Sequence, residues 1–174
     1  MLLGARWHVA QPQNSASSPQ QTGTEFPSAQ ANNSADLLPP GTNAATASKL
    51  VVDLSDRRVY VYQRDRVQSS YLLAIGRSDW ETPTGNFQVR QLEKEPTWQH
   101  PISKIPVPPG PKNPLGARWI GFWTNGIYHI GFHGTNQEGR LGEAVSHGCL
   151  RMRNEDIMAL YDRVAVGTPV QVRP

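Results

Sequence analysis

The chain has 174 residues, 37% of them hydrophobic and 18% charged, with a formal net charge of +3 and one cysteine. That length suits one domain with a tail, and a lone cysteine excludes an intramolecular disulfide. The mild charge forms no basic stripe interleaved with aromatics, which argues against nucleic acid as a partner. No run of about 18 apolar residues exists to make a transmembrane helix.

Residues 1–48 are poor in charge, rich in Gln, Asn, Ser, Ala, Thr and Pro, and without hydrophobic period. Such a segment buries too little apolar surface to offset its chain entropy, so a disordered tail is expected over 1–48 and one domain over 49–174. An export signal is not evident, because residues 1–13 lack a basic start and a sustained apolar run. Lys49 to Leu54, Val59 to Tyr62 and Val67 to Ile75 are short β-branched and aromatic runs separated by turn-rich segments. They predict a three-stranded antiparallel meander. A loop over 76–85 and one strand from Asn86 to Leu92 follow. The proline-rich stretch from Glu93 to Pro114 is either the border of a binding cleft or a surface excursion held by Trp98.

Thr124-Asn125-Gly126 between the runs Trp119–Trp123 and Ile127–Phe132 is a hairpin signal, and its second strand ends at His133. Asn154 is placed to cap a helix that has Glu155 and Asp156 in its first turn. Ile157, Leu160, Tyr161 and Val164 give that helix an apolar face, Gly167 to Pro169 stop it, and Val170 to Val172 form a last strand. The expected fold is mostly β, a sandwich or barrel with one short helix.

The chemistry concentrates between His133 and Met152. This stretch holds the only cysteine, Cys149, with His133 sixteen positions before it, His147 two before it and Arg151 two after it. A thiol bracketed by histidines in a glycine-rich setting reads first as a nucleophile, because thiolate attacks carbonyls and imidazole can take the thiol proton. On an extended strand His147, Cys149 and Arg151 share one side. Gly148 frees the backbone to set neighbouring N–H groups side by side, as an oxyanion requires. Ser146 either bonds His147 or closes a turn, and the turn is the favoured role.

Two other readings stay open on residues and spacing alone. A lone cysteine is commonly a small buried hydrophobe. Cys149, His133, His147 and His129 also have the donor types of a zinc site, although no Cys-x-x-Cys pair is present. His129 is read as structural or at a cleft edge, and His8 and His100 are given no role. Trp80, Trp98, Trp119 and Trp123 either stack on sugar rings or pack, and packing is the commoner role.

The run Ser146-His147-Gly148-Cys149-Leu150-Arg151-Met152, with His133-Gly134 upstream, resembles the signature of the L,D-transpeptidase (YkuD-like) catalytic domain. Thr82-Pro83-Thr84-Gly85-Asn86-Phe87 and Asn113-Pro114-Leu115-Gly116 are similar to further elements of that family. The resemblance covers Lys49 to Pro174. Many members have Asn in place of Arg151 and Ser in place of Gly134, so roles that belong to those residues are not transferred. The resemblance implies a β-rich fold and a metal-free, cofactor-free enzyme at the periplasmic or extracellular face of the cell envelope. Its implied partners are donor and acceptor stem peptides of peptidoglycan, which it joins by 3–3 cross-links, and carbapenem-type inhibitors. It implies Cys149 as nucleophile, His133 as base, His147 with the Gly148 and Cys149 amides at the oxyanion, and Arg151 as a substrate- or thiolate-facing cation. A carboxypeptidase that passes the same acyl group to water, and a wall-binding module without catalysis, are the rival functions.

Overall fold

The computed structural model describes residues 46–100 and 103–174. The tail expected over 1–48 therefore lies almost wholly outside the described residues. Ala47, at the start of the described part, is buried and donates its N–H to the Arg163 carbonyl at 2.8 Å.

The expected meander forms, but its third strand ends at Leu72, short of the expected Ile75, which belongs to a separate pair. Strands β1 (Lys49–Asp53), β2 (Arg58–Gln63) and β3 (Arg66–Leu72) pair antiparallel in sequence order. Leu50, Val52, Val59 and Val61 alternate inward and are buried, each worth roughly 1.5–3 kcal/mol. Beyond β3 the chain makes β4 (Ile75–Gly76), then β5 (Gly85–Gln88) and β6 (Gln91–Lys94). The single strand expected from Asn86 to Leu92 is thus two strands, and they belong to different sheets. The switch falls at Val89, whose N–H and carbonyl go to Thr168 and Gly167 while the next N–H, of Arg90, goes to Gly121.

Within the proline-rich stretch, β7 (Trp98–Gln99) and β8 (Pro106–Val107) make a short hairpin. Asn113 is buried and holds the end of this excursion: its Nδ2 donates to the Pro96 carbonyl at 2.7 Å and its Oδ1 accepts the Leu115 N–H at 2.9 Å. Next come β9 (Arg118–Thr124), β10 (His129–His133), β11 (Ala144–Ser146), β12 (Leu150–Arg151), the helix α1 (Asn154–Tyr161) and β13 (Pro169–Arg173). The β9–β10 hairpin forms, but β10 starts at His129 and not at Ile127. The Asn125 side chain accepts the Ile127 and Tyr128 N–H groups and so keeps those residues in the turn.

The strands build a five-stranded sheet, β3-β2-β1-β13-β5, and a four-stranded sheet, β12-β10-β9-β6, with two-stranded pairs β11-β4 and β7-β8 beside them. β13 pairs parallel with β1 and antiparallel with β5, and so joins β5 to the meander. Phe87 on β5, Phe122 on β9 and Phe132 on β10 form a chain of ring contacts, 5.6 and 5.3 Å between centroids, which joins the sheets in one core. Among the described residues the fold is mostly β with one α-helix, as expected.

The helix differs from expectation at both ends. Asn154 is its first residue and makes no capping bond, the N-cap being Arg153. The Asn154 side chain ties two loops instead, accepting from Ala117 N–H at 2.9 Å and donating to the Thr135 carbonyl at 2.8 Å. The helix stops at Tyr161, so Val164 is buried just beyond it. Among the described residues no helix is long and apolar enough to cross a membrane.

Candidate active site

The end of β10 and the start of β12 lie side by side in parallel, with Phe132 opposite Leu150 and His133 opposite Arg151. Partners in register on neighbouring strands project to the same face, so this pairing places the His133 and Arg151 side chains together. Both line a cavity of about 420 Å³. Cys149, His147, Ser146 and His129 also line it, and Trp80, Trp98, Trp123, Tyr128, Pro114 and Leu115 supply apolar walls. The structure thus brings every sequence-selected residue except Gly148 to one cavity wall. Trp80 meets Tyr128 and His147 edge-on, with centroids 5.9 and 5.2 Å apart.

The extended strand assumed through His147 and Cys149 is not there. These residues lie in a turn between β11 and β12. Two features enforce it. Gly148 has φ +98°, a conformation that strains any residue with a Cβ. The buried Ser146 hydroxyl accepts the Gly148 N–H at 3.1 Å and donates to the Cys149 carbonyl at 2.5 Å. Ser146 therefore closes the turn. As a result His147 is exposed while Cys149 is buried. The Gly148 N–H, expected to face an oxyanion, is committed to Ser146. Among the described residues the Cys149 N–H has no such partner.

The thiol also has unexpected partners. Its S–H donates to the His129 carbonyl at 3.6 Å, and the Gly131 N–H is near enough to favour the thiolate. Among the described residues no hydrogen bond joins Cys149 to His133. His133 is 5% exposed and stacks on Trp119, its partner across β9–β10, with centroids 6.1 Å apart. Its Nδ1–H donates to the Gly134 carbonyl at 2.6 Å, which leaves Nε2 as the basic nitrogen of the neutral ring.

Burial governs the protonation of both groups. It pushes the Cys149 thiol up to about 11, against the opposing pull of the Gly131 N–H and the Arg151 charge. It pushes His133 down to about 4, with Arg151 adding to the effect and the Gly134 and Pro114 carbonyls opposing it. Both shifts favour the neutral thiol and the neutral imidazole over the charged forms. His147 is lowered by partial burial and by the Arg77 and Arg151 charges.

Arg151 is half-buried, and its Nη1 donates to Gln137 Oε1 at 3.4 Å. Its backbone bonds Ala74 in both directions, at 3.0 and 2.9 Å, so the site is strapped to the link between β3 and β4. Among the described residues no three His, Cys, Asp or Glu side chains gather closely enough to hold a metal ion.

Sequence reasoning gave no individual role to Thr82. Its hydroxyl, 3% exposed as a residue, accepts the Gly76 N–H at 3.1 Å and donates to the Gly148 carbonyl at 2.9 Å. The only sign of it was the Thr82-Pro83-Thr84-Gly85 run. Trp80, Trp98 and Trp123 border the cavity, whereas Trp119 supports His133. His100 sits against Trp98, and His8 lies outside the described residues.

Residues 47–172 match the YkuD family model, described as the L,D-transpeptidase catalytic domain. The Bacillus subtilis protein YqjB, which carries the name L,D-transpeptidase, is 38% identical over 128 residues, a span of 71% of this chain and 69% of YqjB. Escherichia coli ErfK/SrfK, with the same functional name, is 36% identical over 137 residues, 71% of this chain but only 43% of that protein. The fold is similar to a Cys-to-Ser mutant of the Enterococcus faecium L,D-transpeptidase, with TM-score 0.60 and 22% identity over 73% of this chain and 50% of that one. The chain thus spans half or less of the length of the last two.

Proposed function

The chain belongs to the YkuD family of L,D-transpeptidase catalytic domains, and from that premise we propose that it cross-links peptidoglycan stem peptides through an acyl-enzyme on Cys149. The observation that carries this reading is the position of the only thiol: at the wall of the 420 Å³ cavity that His133, His147 and Arg151 also line. A catalytic role accounts for a buried cysteine that shares its cavity with two imidazoles and a cation; simple packing does not.

A donor stem enters the cavity and its carboxylate meets Arg151. The Cys149 side chain turns from the His129 carbonyl toward His133. Sγ then bonds to the carbonyl carbon that follows the L-centre of the third stem residue, while the thiol proton moves to His133. Because the free groups differ so widely in pKa, proton transfer and attack occur together, with no standing thiolate. The carbonyl electrons collect on oxygen, where the Cys149 N–H and His147 stabilise them. Collapse breaks the C–N bond, and the departing D-Ala amine takes the proton from His133. An amine of a second stem attacks the thioester and gives a proton to His133. The second collapse expels sulfur, which recovers that proton and leaves a 3–3 cross-link. The proposed chemistry requires a location in the cell envelope, on the side that faces the wall.

Purified disaccharide-tetrapeptides incubated with the full chain and resolved by mass spectrometry test the proposal. The expected products are a dimer and free D-Ala. Tripeptide in place of dimer makes water the acceptor and the enzyme a carboxypeptidase. No product from folded protein contradicts the assignment and favours a binding module.

A further inference from the structure

The segment Trp80 to Thr82 packs its backbone against Gly76 of β4 and against Gly148 of the turn that carries Cys149. A Cβ on Gly76 would lie 2.6 Å from the Thr82 nitrogen, and one on Gly148 would lie 3.4 Å from the Glu81 carbonyl oxygen. In this contact the Thr82 hydroxyl, buried and 66 residues away in sequence, donates to the Gly148 carbonyl at 2.9 Å. That carbonyl and the Cys149 N–H are two ends of one planar peptide unit. Fixing the oxygen therefore fixes the direction of the N–H. The neighbouring Gly148 N–H is already held by Ser146, so the Cys149 N–H is the backbone donor left at the nucleophile.

We propose that Thr82 is a positioning residue for acyl transfer, which acts through the Gly148–Cys149 peptide plane to aim and strengthen the Cys149 N–H as an oxyanion donor. Accepting a hydrogen bond at its carbonyl polarises a peptide and makes its N–H a better donor. The Gly76 N–H in turn orients the Thr82 hydroxyl by donating to it, so the hydroxyl proton points at Gly148. The inference rests on the reading of Cys149 as an acylated nucleophile.

Two reactions at Cys149 separate this role from a structural one. Ring opening of a carbapenem adds Sγ to the lactam carbonyl, builds an oxyanion, breaks the ring C–N bond and moves the thiol proton to the ring nitrogen. Alkylation by iodoacetamide displaces iodide at a CH₂ group and builds no oxyanion. Thr82→Val in the full chain should slow acylation by about 10- to 100-fold, less than or comparable to losing an oxyanion donor outright. Alkylation at pH 9 should stay within about threefold of wild type, since the thiol itself is untouched. Thr82→Ser, which keeps the hydroxyl, should restore acylation to within about threefold. If Thr82→Val does not fold, Thr82→Ala, which leaves room for water at the Gly76 N–H, carries the same expectation. An equal fall in both reactions, or unchanged acylation, overturns the proposal. A wild-type chain that is alkylated but never acylated instead removes the underlying reading of Cys149.

Discussion

If burial holds the Cys149 thiol near 11, its reactivity in the free protein should show it. At pH 7.5 such a thiol is ~0.03% thiolate, against ~9% for an ordinary cysteine near 8.5. The more basic thiolate is intrinsically the better nucleophile by roughly tenfold, so net alkylation should be about 30-fold slower than for a cysteine peptide. Cys149 is the only thiol in the chain, so iodoacetamide uptake followed by intact-mass measurement reports it alone. The logarithm of the rate should rise with unit slope from pH 6 to about 10. A plateau between about pH 6 and 8 would mean a thiolate–imidazolium pair in the free protein and would refute the neutral-pair mechanism.

Other consequences follow from the same geometry. His133 is held near 4 in the fold against an ordinary 6.5, so its contribution to stability is complete above 6.5 and is lost as pH falls toward 4. The loss should reach about 3 kcal/mol, and urea melts at pH 7, 5.5 and 4.5 should show it for wild type but not for His133→Asn. Ser146→Ala leaves a buried N–H and a buried carbonyl unpaired, which should cost about 2–4 kcal/mol in denaturant melts; no loss would mean that the turn closes without the hydroxyl. Arg151→Gln should slow acylation by a carboxylate-bearing donor about tenfold or more. The same variant should raise the His133 pKa, read from its ring-proton shifts, because the Arg151 charge contributes to lowering it.

The meander, the β9–β10 hairpin and the helix were legible because each rests on local signals: alternating apolar residues, Asn125-Gly126, and acids ahead of Ile157 and Leu160. The break at Val89 was not. Its cause is non-local, since β5 pairs with β13 and β6 pairs with β9, and the run Asn86 to Leu92 carries no mark of it. At the site, residue identities were legible from the lone cysteine and its histidines, but their arrangement was not. The spacing of His147 and Cys149 suggested an extended strand, whereas Ser146 and the positive φ of Gly148 turn the chain. Asn154 had the composition of a cap, yet its amide bridges Ala117 and Thr135, which lie on loops distant in sequence. The protonation of Cys149 and His133 depends on burial, which only the assembled core sets.

In the proposed reaction Cys149 carries the acyl group. Intact-protein mass spectrometry of the wild-type chain and of Cys149→Ala, each incubated with a carbapenem, tests it most directly. One added carbapenem mass is expected on wild type, formed more slowly as pH falls, and none on folded Cys149→Ala. Equal labelling of both chains, or wild-type protein that turns over stem peptides yet never gains the mass, would contradict it.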